Sequence, residues 1–159
     1  MQLGYLARFI GVSLLILGCS PQGDRPDAAT DTTTGAPTTV TTPPPLTGTY
    51  WRLVALGDRD VAVADTAREP HLTFGPDSAR VTGSGGCNRM FGSYTLNGDS
   101  MSFVGVGSTK MACASGMDIE TAFLPALERV SRWRISGQHL ELTDSSGALV
   151  ARFEGRPPR

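Results

Sequence analysis

The stretch Gly83-Ser84-Gly85-Gly86-Cys87-Asn88-Arg89-Met90-Phe91-Gly92-Ser93-Tyr94 decides how this chain is read, and Ser108-Thr109-Lys110-Met111-Ala112-Cys113 answers it downstream. Each segment carries one cysteine, and no other cysteine follows residue 19. Glycine-rich loops that run straight into β-prone alternation indicate tight corners between strands. Working outward from them, short β-like runs recur, each bounded by turn chemistry. Thr49–Leu56 is the first, with Trp51 and Leu53 on one face, as a strand's two-residue period requires. Residues 57–70 are polar or small and end in Pro70, which reads as a long loop. His71–Phe74 and Ala79–Gly83 flank the turn Gly75-Pro76-Asp77-Ser78 and predict a hairpin. Phe91–Leu96 runs to Asn97-Gly98, a strong short hairpin signal, and Ser100–Val104 returns. Trp133–Ile135 and His139–Thr143 form another hairpin across Ser136-Gly137, with Leu140 and Leu142 inward. A turn at Asp144-Ser145-Ser146-Gly147 then leads to Leu149–Phe153.

One segment breaks this period. Ser115–Val130 places Ile119, Phe123, Ala126, Leu127 and Val130 at helical spacing. Ser115 and Asp118 form a capping pair, and Pro125 predicts a kink or a split. The fold class that follows is mainly β (α+β): a small antiparallel barrel or strongly curved sheet of about eight strands with one α-helix packed on it.

The chain has 159 residues and a formal net charge of −1, so no strongly basic surface invites nucleic acid. Thirteen of its 14 basic residues are arginine, and Lys110 is the single lysine. Phe9–Leu17 is a short apolar run, well under the roughly 20 residues a membrane-spanning helix needs. It fits the apolar core of a secretory signal. The run ends Leu15-Ile16-Leu17-Gly18-Cys19-Ser20, similar to the lipobox of bacterial lipoproteins. That similarity implies a signal peptide over 1–18, cleavage after Gly18 and lipidation of Cys19, so that acyl chains anchor the protein to a membrane. Ser20 is not the aspartate that retains lipoproteins at the inner membrane, which favours an outer membrane facing the periplasm. Ser20–Leu46 holds six prolines and eight threonines, so residues 19–47 read as a disordered tether. The folded domain then spans 48–155, with a tail at 156–159.

Export places Cys87 and Cys113 in an oxidising compartment, where a disulfide persists. In the chain-entropy account it stabilises by about 3.5 kcal/mol. The alternative, a reactive thiol, needs a base nearby, and neither His71 nor His139 is close in sequence. Two histidines and no short cysteine spacing give no metal site. There is no nucleophile elbow, no complete phosphate loop and no dinucleotide fingerprint, so no catalytic residue and no cofactor is assigned. Asn88, Arg89, Thr109 and Lys110 flank the two cysteines. They are either a solvated loop rim or a small cationic binding patch.

The run Gly86-Cys87-Asn88-Arg89, Gly92-Ser93-Tyr94, Ser108–Cys113 and then Glu120, Phe123 and Leu127 resembles the META domain, as do Trp51-Arg52-Leu53 and Leu140-Glu141-Leu142. The resemblance covers the whole domain and is nearest to the HslJ type of heat-inducible outer-membrane lipoprotein. It implies a small, mainly β fold with one helix, and a link to envelope stress and novobiocin tolerance. It brings no catalytic residues. The expected function is a non-enzymatic, lipid-anchored envelope protein that binds an unknown protein or small molecule. The alternative is a periplasmic inhibitor or chaperone-like module acting on other proteins.

Overall fold

The computed structural model describes residues 42–62 and 69–157. The expectations for the signal peptide, Cys19 and most of the tether fall outside the described residues. Within them the chain forms nine strands and one helix in the order β1 (Tyr50–Leu56), β2 (Arg59–Asp60), β3 (His71–Phe74), β4 (Arg80–Ser84), β5 (Arg89–Asn97), β6 (Ser100–Ser108), α1 (Met117–Glu128), β7 (Arg132–Ser136), β8 (His139–Thr143) and β9 (Leu149–Arg156). All the strand pairings are antiparallel. β1 pairs with both β3 and β9, so β1 and β3–β9 close into a ring, and two-residue β2 flanks the end of β1. Closure removes the sheet edges that a flat sheet of this size would expose.

Alternation builds the core. Trp51, Leu53 and Ala55 of β1 point inward with Leu72 and Phe74 of β3, Leu140 and Leu142 of β8, and Val150 and Phe153 of β9. The Trp51 indole donates to the Leu46 carbonyl at 2.8 Å, satisfying the one polar atom this large side chain takes inside. That bond and the burial of Leu46 move the start of the folded domain earlier than residue 48. β9 likewise runs one residue past 155. The expected loop 57–70 also contains structure, because Leu56 pairs with Arg59 across Gly57-Asp58. Two residues are too few to give a period in the sequence.

The Asn97-Gly98 signal marks a hairpin whose two turn residues are Gly98 and Asp99, since Asn97 pairs with Ser100. Gly98 takes φ +61°, the left-handed value a two-residue turn needs. Further along the same pair an extra residue on β6, near Gly105, makes a bulge between the Phe91–Gly107 and Ser93–Val104 pairings.

The ring is thinnest between β6 and β7, which pair only at Ser100–Arg132. The connection between these two strands carries α1, which packs against β6, β1 and β9. Phe123, Ala126 and Leu127 are its buried apolar residues, and Phe123 meets Phe153 at 5.9 Å between ring centroids. The helix therefore adds apolar side chains to the core of the barrel. It runs unbroken through Pro125 rather than splitting there. Pro125 removes one hydrogen bond, to the Thr121 carbonyl, while its neighbours Phe123, Ala126 and Leu127 are buried and hold the helix in place. Ser115 does not cap the helix. Gly116 is the N-cap, at φ +84°, and makes no side-chain capping bond.

Replacing Phe123 by Ala should lower unfolding free energy by about 3–5 kcal/mol, because it empties the junction between helix and barrel. Leu96 is exposed on β5, and Leu96→Ala should cost less than about 0.5 kcal/mol. Urea denaturation followed by tryptophan fluorescence compares the two.

Candidate functional site

The two cysteine segments meet at one corner of the barrel. Cys87 and Cys113 are joined by a disulfide, with their Cα atoms 5.8 Å apart. One residue before Cys87, Gly86 lies against Gly116. A Cβ on Gly116 would stand 2.5 Å from the Gly86 carbonyl oxygen, and Gly116 holds a positive φ, so glycine is required there on both counts. One residue after Cys87, Asn88 is buried and every polar atom of its side chain is used. Its amide nitrogen donates to Glu120 Oε1 at 3.0 Å and to the Met111 carbonyl at 3.2 Å. Its carbonyl oxygen accepts from the Met111 N–H at 2.7 Å and the Thr109 hydroxyl at 2.9 Å.

Glu120 completes this network. It is buried in the first turns of α1, accepts the Asn88 backbone N–H on Oε2 at 2.7 Å, and accepts the Ser108 hydroxyl on Oε1 at 3.1 Å. Reading the sequence for apolar periodicity passes Glu120 over. A signal was nonetheless present: Glu120 precedes Phe123 by three and Leu127 by seven, which puts a carboxylate on the helix's buried stripe.

Of the four residues read as a possible patch, the structure turns Asn88 inward, as a hub that holds the corner together. A solvent-facing ligand cannot use atoms that are already hydrogen-bonded and buried. Thr109 is exposed but gives its hydroxyl proton to Asn88, and its backbone N–H donates to the Arg89 carbonyl at 3.0 Å. Arg89 and Lys110 are exposed and have no acidic partner within ion-pair distance among the described residues. Beside Arg89 an open groove of about 980 Å³ is bordered by His71, Thr82, Ser84, Phe91, Thr109 and Met111.

A second polar cluster lies on the outer face of β1 and β9. Arg52 donates to Glu154 through Nε at 3.1 Å and again through its terminal nitrogen, and lies 3.6 Å from buried Glu69. Arg156 reaches both glutamates, at 3.3 and 3.9 Å. The Tyr50 hydroxyl donates to Glu69 at 3.2 Å, and its ring stacks on His71 at 4.4 Å. The hydrogen bond from Arg52, against a smaller opposing effect of burial, holds the Glu154 carboxyl below its ordinary value. Charges here cancel locally, so the cluster stitches strands together. Similarly, burial pushes Glu141 up, but Arg134 and Arg152 together outweigh it and hold it low. Among the described residues no group of three or more His, Cys, Asp or Glu could hold a metal ion.

The META domain pattern matches residues 44–157. A Burkholderia xenovorans protein solved by NMR is similar at 31% identity and TM-score 0.60, over 71% of this chain and 85% of that one. The crystal structure of a DUF4847 family protein from Bacteroides vulgatus shares the fold at 14% identity and TM-score 0.51, over 72% and 96% of the two chains. No curated protein matches the chain.

Glu120→Gln should destabilise the protein by about 1–3 kcal/mol, because one amide hydrogen must then face another donor. Circular dichroism during thermal unfolding measures it; an unchanged midpoint would mean the carboxylate is dispensable. Glu154→Gln acts differently. A depressed carboxyl contributes stability above its ordinary value of 4.5 and loses it as pH falls through the folded value. The variant should be less stable than wild type by about 0.5–1 kcal/mol at pH 7. That gap should close as pH drops well below 4.5.

Proposed function

Because the chain belongs to the META domain family, we propose that it is a non-enzymatic binding module of the cell envelope, lipid-anchored through Cys19 in the manner of HslJ-type lipoproteins. The carrying observation is how the disulfide corner spends its polar groups. Asn88 and Glu120, the buried polar side chains of this corner, are hydrogen-bonded to the chain itself. Catalysis needs a reactive group free to exchange protons or bonds with a substrate. This corner instead keeps its reactive chemistry closed and leaves cations on the rim, which suits recognition. The lipobox-like Leu17-Gly18-Cys19 and the proline- and threonine-rich segment support an anchored, tethered protein. The reading places it facing the periplasm, at the outer membrane where the cell has one, with a role in tolerance of envelope stress.

Two measurements test this together. Labelled palmitate should enter the wild-type protein and be lost in Cys19→Ser, which should move from the membrane to the soluble fraction. A deletion strain should be more sensitive to heat and novobiocin, and wild-type protein should rescue it where Arg89→Gln with Lys110→Gln does not. Unlabelled protein in the soluble fraction would sink the anchoring. Full rescue by the doubly neutralised variant would sink the binding role of this rim.

A further inference from the structure

The register of three strands makes the groove beside the disulfide a slot with two unlike walls. β4 is the floor. Its outward residues here are Thr82 and Ser84, both small and hydroxylated. His71 pairs with Ser84, which pairs with Arg89; Thr73 pairs with Thr82, which pairs with Phe91. The walls therefore stand on β3 and β5, two strand spacings or about 9.6 Å apart at the backbone. The β3 wall is stiffened where the Tyr50 ring stacks on His71. The β5 wall carries Arg89 and Phe91 two residues apart on the same face, and Met111 closes the end nearest the disulfide.

Three properties define what fits. Phe91 is 53% exposed and Met111 58% exposed, so both offer apolar, polarisable surface to solvent. Among the described residues, no aspartate or glutamate borders the groove. The Arg89 guanidinium at its edge has no carboxylate within ion-pair distance among the described residues, and Lys110 lies just beyond, next to Thr109 and Met111. Elsewhere on this face the charges are matched: Arg52 and Arg156 are engaged by Glu69 and Glu154. An uncompensated guanidinium beside bare aromatic surface favours one kind of occupant. The planar fork pairs with a carboxylate or other oxyanion, and the slot takes a flat apolar body against Phe91. A volume of about 980 Å³ suits a small molecule.

We propose that this groove binds a small organic anion with a flat apolar body, its oxyanion on Arg89 with Lys110 adding long-range attraction, and its ring between Phe91 and the β4 floor. This deepens the binding-module reading and rests on it, by assigning that module a ligand class.

The test uses the full chain carrying Cys19→Ser, with 1-naphthoate as probe and 1-naphthamide as its uncharged counterpart. In two-dimensional amide NMR, naphthoate should shift Thr82, Ser84, Phe91, Thr109 and Met111 and leave the β7–β8 hairpin unmoved. Arg89→Gln should weaken naphthoate by about three- to fivefold, the range of a solvent-exposed ion pair, and leave naphthamide unchanged. Phe91→Ser should weaken both probes. These side chains are exposed, so the near-ultraviolet circular dichroism of each variant should match wild type. Shifts confined to another region, equal binding of both probes, or no binding at all would overturn the assignment. An Arg89→Gln strain that reproduces the deletion phenotype while naphthoate fails to bind would reject this ligand class and keep the binding-module reading. Full rescue by the doubly neutralised Arg89→Gln, Lys110→Gln variant, with no binding of naphthoate, would reject both.

Discussion

The hydrogen bonds between Asn88 and Glu120 are the constraint on which the rest of the structure depends. They join a loop entering β5 to the first turns of a helix 32 residues later. A buried carboxylate without partners would cost several kcal/mol, so Glu120 can sit on the helix's inner face only if donors meet it there. Asn88 supplies two and Ser108 a third. In turn, Asn88 can be buried only because Met111 and Thr109 satisfy its oxygen. Each group is affordable only in the presence of the others, which makes the corner an all-or-none unit. The disulfide and the Gly86–Gly116 contact join the same two segments, so covalent, steric and polar ties coincide.

Fixing that corner fixes the helix, and the helix packs its apolar residues into the barrel core. β6 and β7 pair only at Ser100–Arg132, and α1 lies in the connection between them. Phe123 and Leu127 extend the apolar core, on a helix held near its N-terminal end by Glu120 and packed against β6, β1 and β9. A helix packed on a barrel needs something to set its position along its own axis. Apolar packing is non-directional and does this poorly. The hydrogen bonds of Glu120 are directional and set it. The same economy explains the surface. With the corner's internal polar groups saturated, its free chemistry is confined to Arg89, Lys110 and the exposed apolar side chains beside them.

Much of this was legible in the chain as written. Alternation at Trp51 and Leu53, and at Leu140 and Leu142, points to inward faces that the structure confirms, because a strand's side-chain period is fixed by its backbone. The glycine-bounded turns mark the hairpins. Other features were not legible, each for a physical reason. β2 spans a single two-residue period, too short for any alternation to show. The bulge near Gly105 depends on which residues of β5 lie opposite, which no local window contains. Pro125 is tolerated because the residues that flank it, Phe123, Ala126 and Leu127, are buried in the core. In sequence Asn88 reads as a surface group beside a cysteine, since nothing local reveals that Met111 and Glu120 fold over it. The groove is the extreme case: its walls are His71 and Phe91, 20 positions apart, and only strand register places them on either side of Thr82 and Ser84.

The interlock of Asn88 with Glu120 and Met111 is tested most directly by native-state amide hydrogen exchange at the backbone N–H groups of Asn88 and Met111. Both donate into the buried network, at 2.7 Å each. If the corner is a single unit on which the barrel depends, the two amides should share one opening free energy, equal to that of global unfolding. Fast exchange of either amide, while core amides of β1 and β8 stay protected, would show that the corner opens on its own and does not hold the fold.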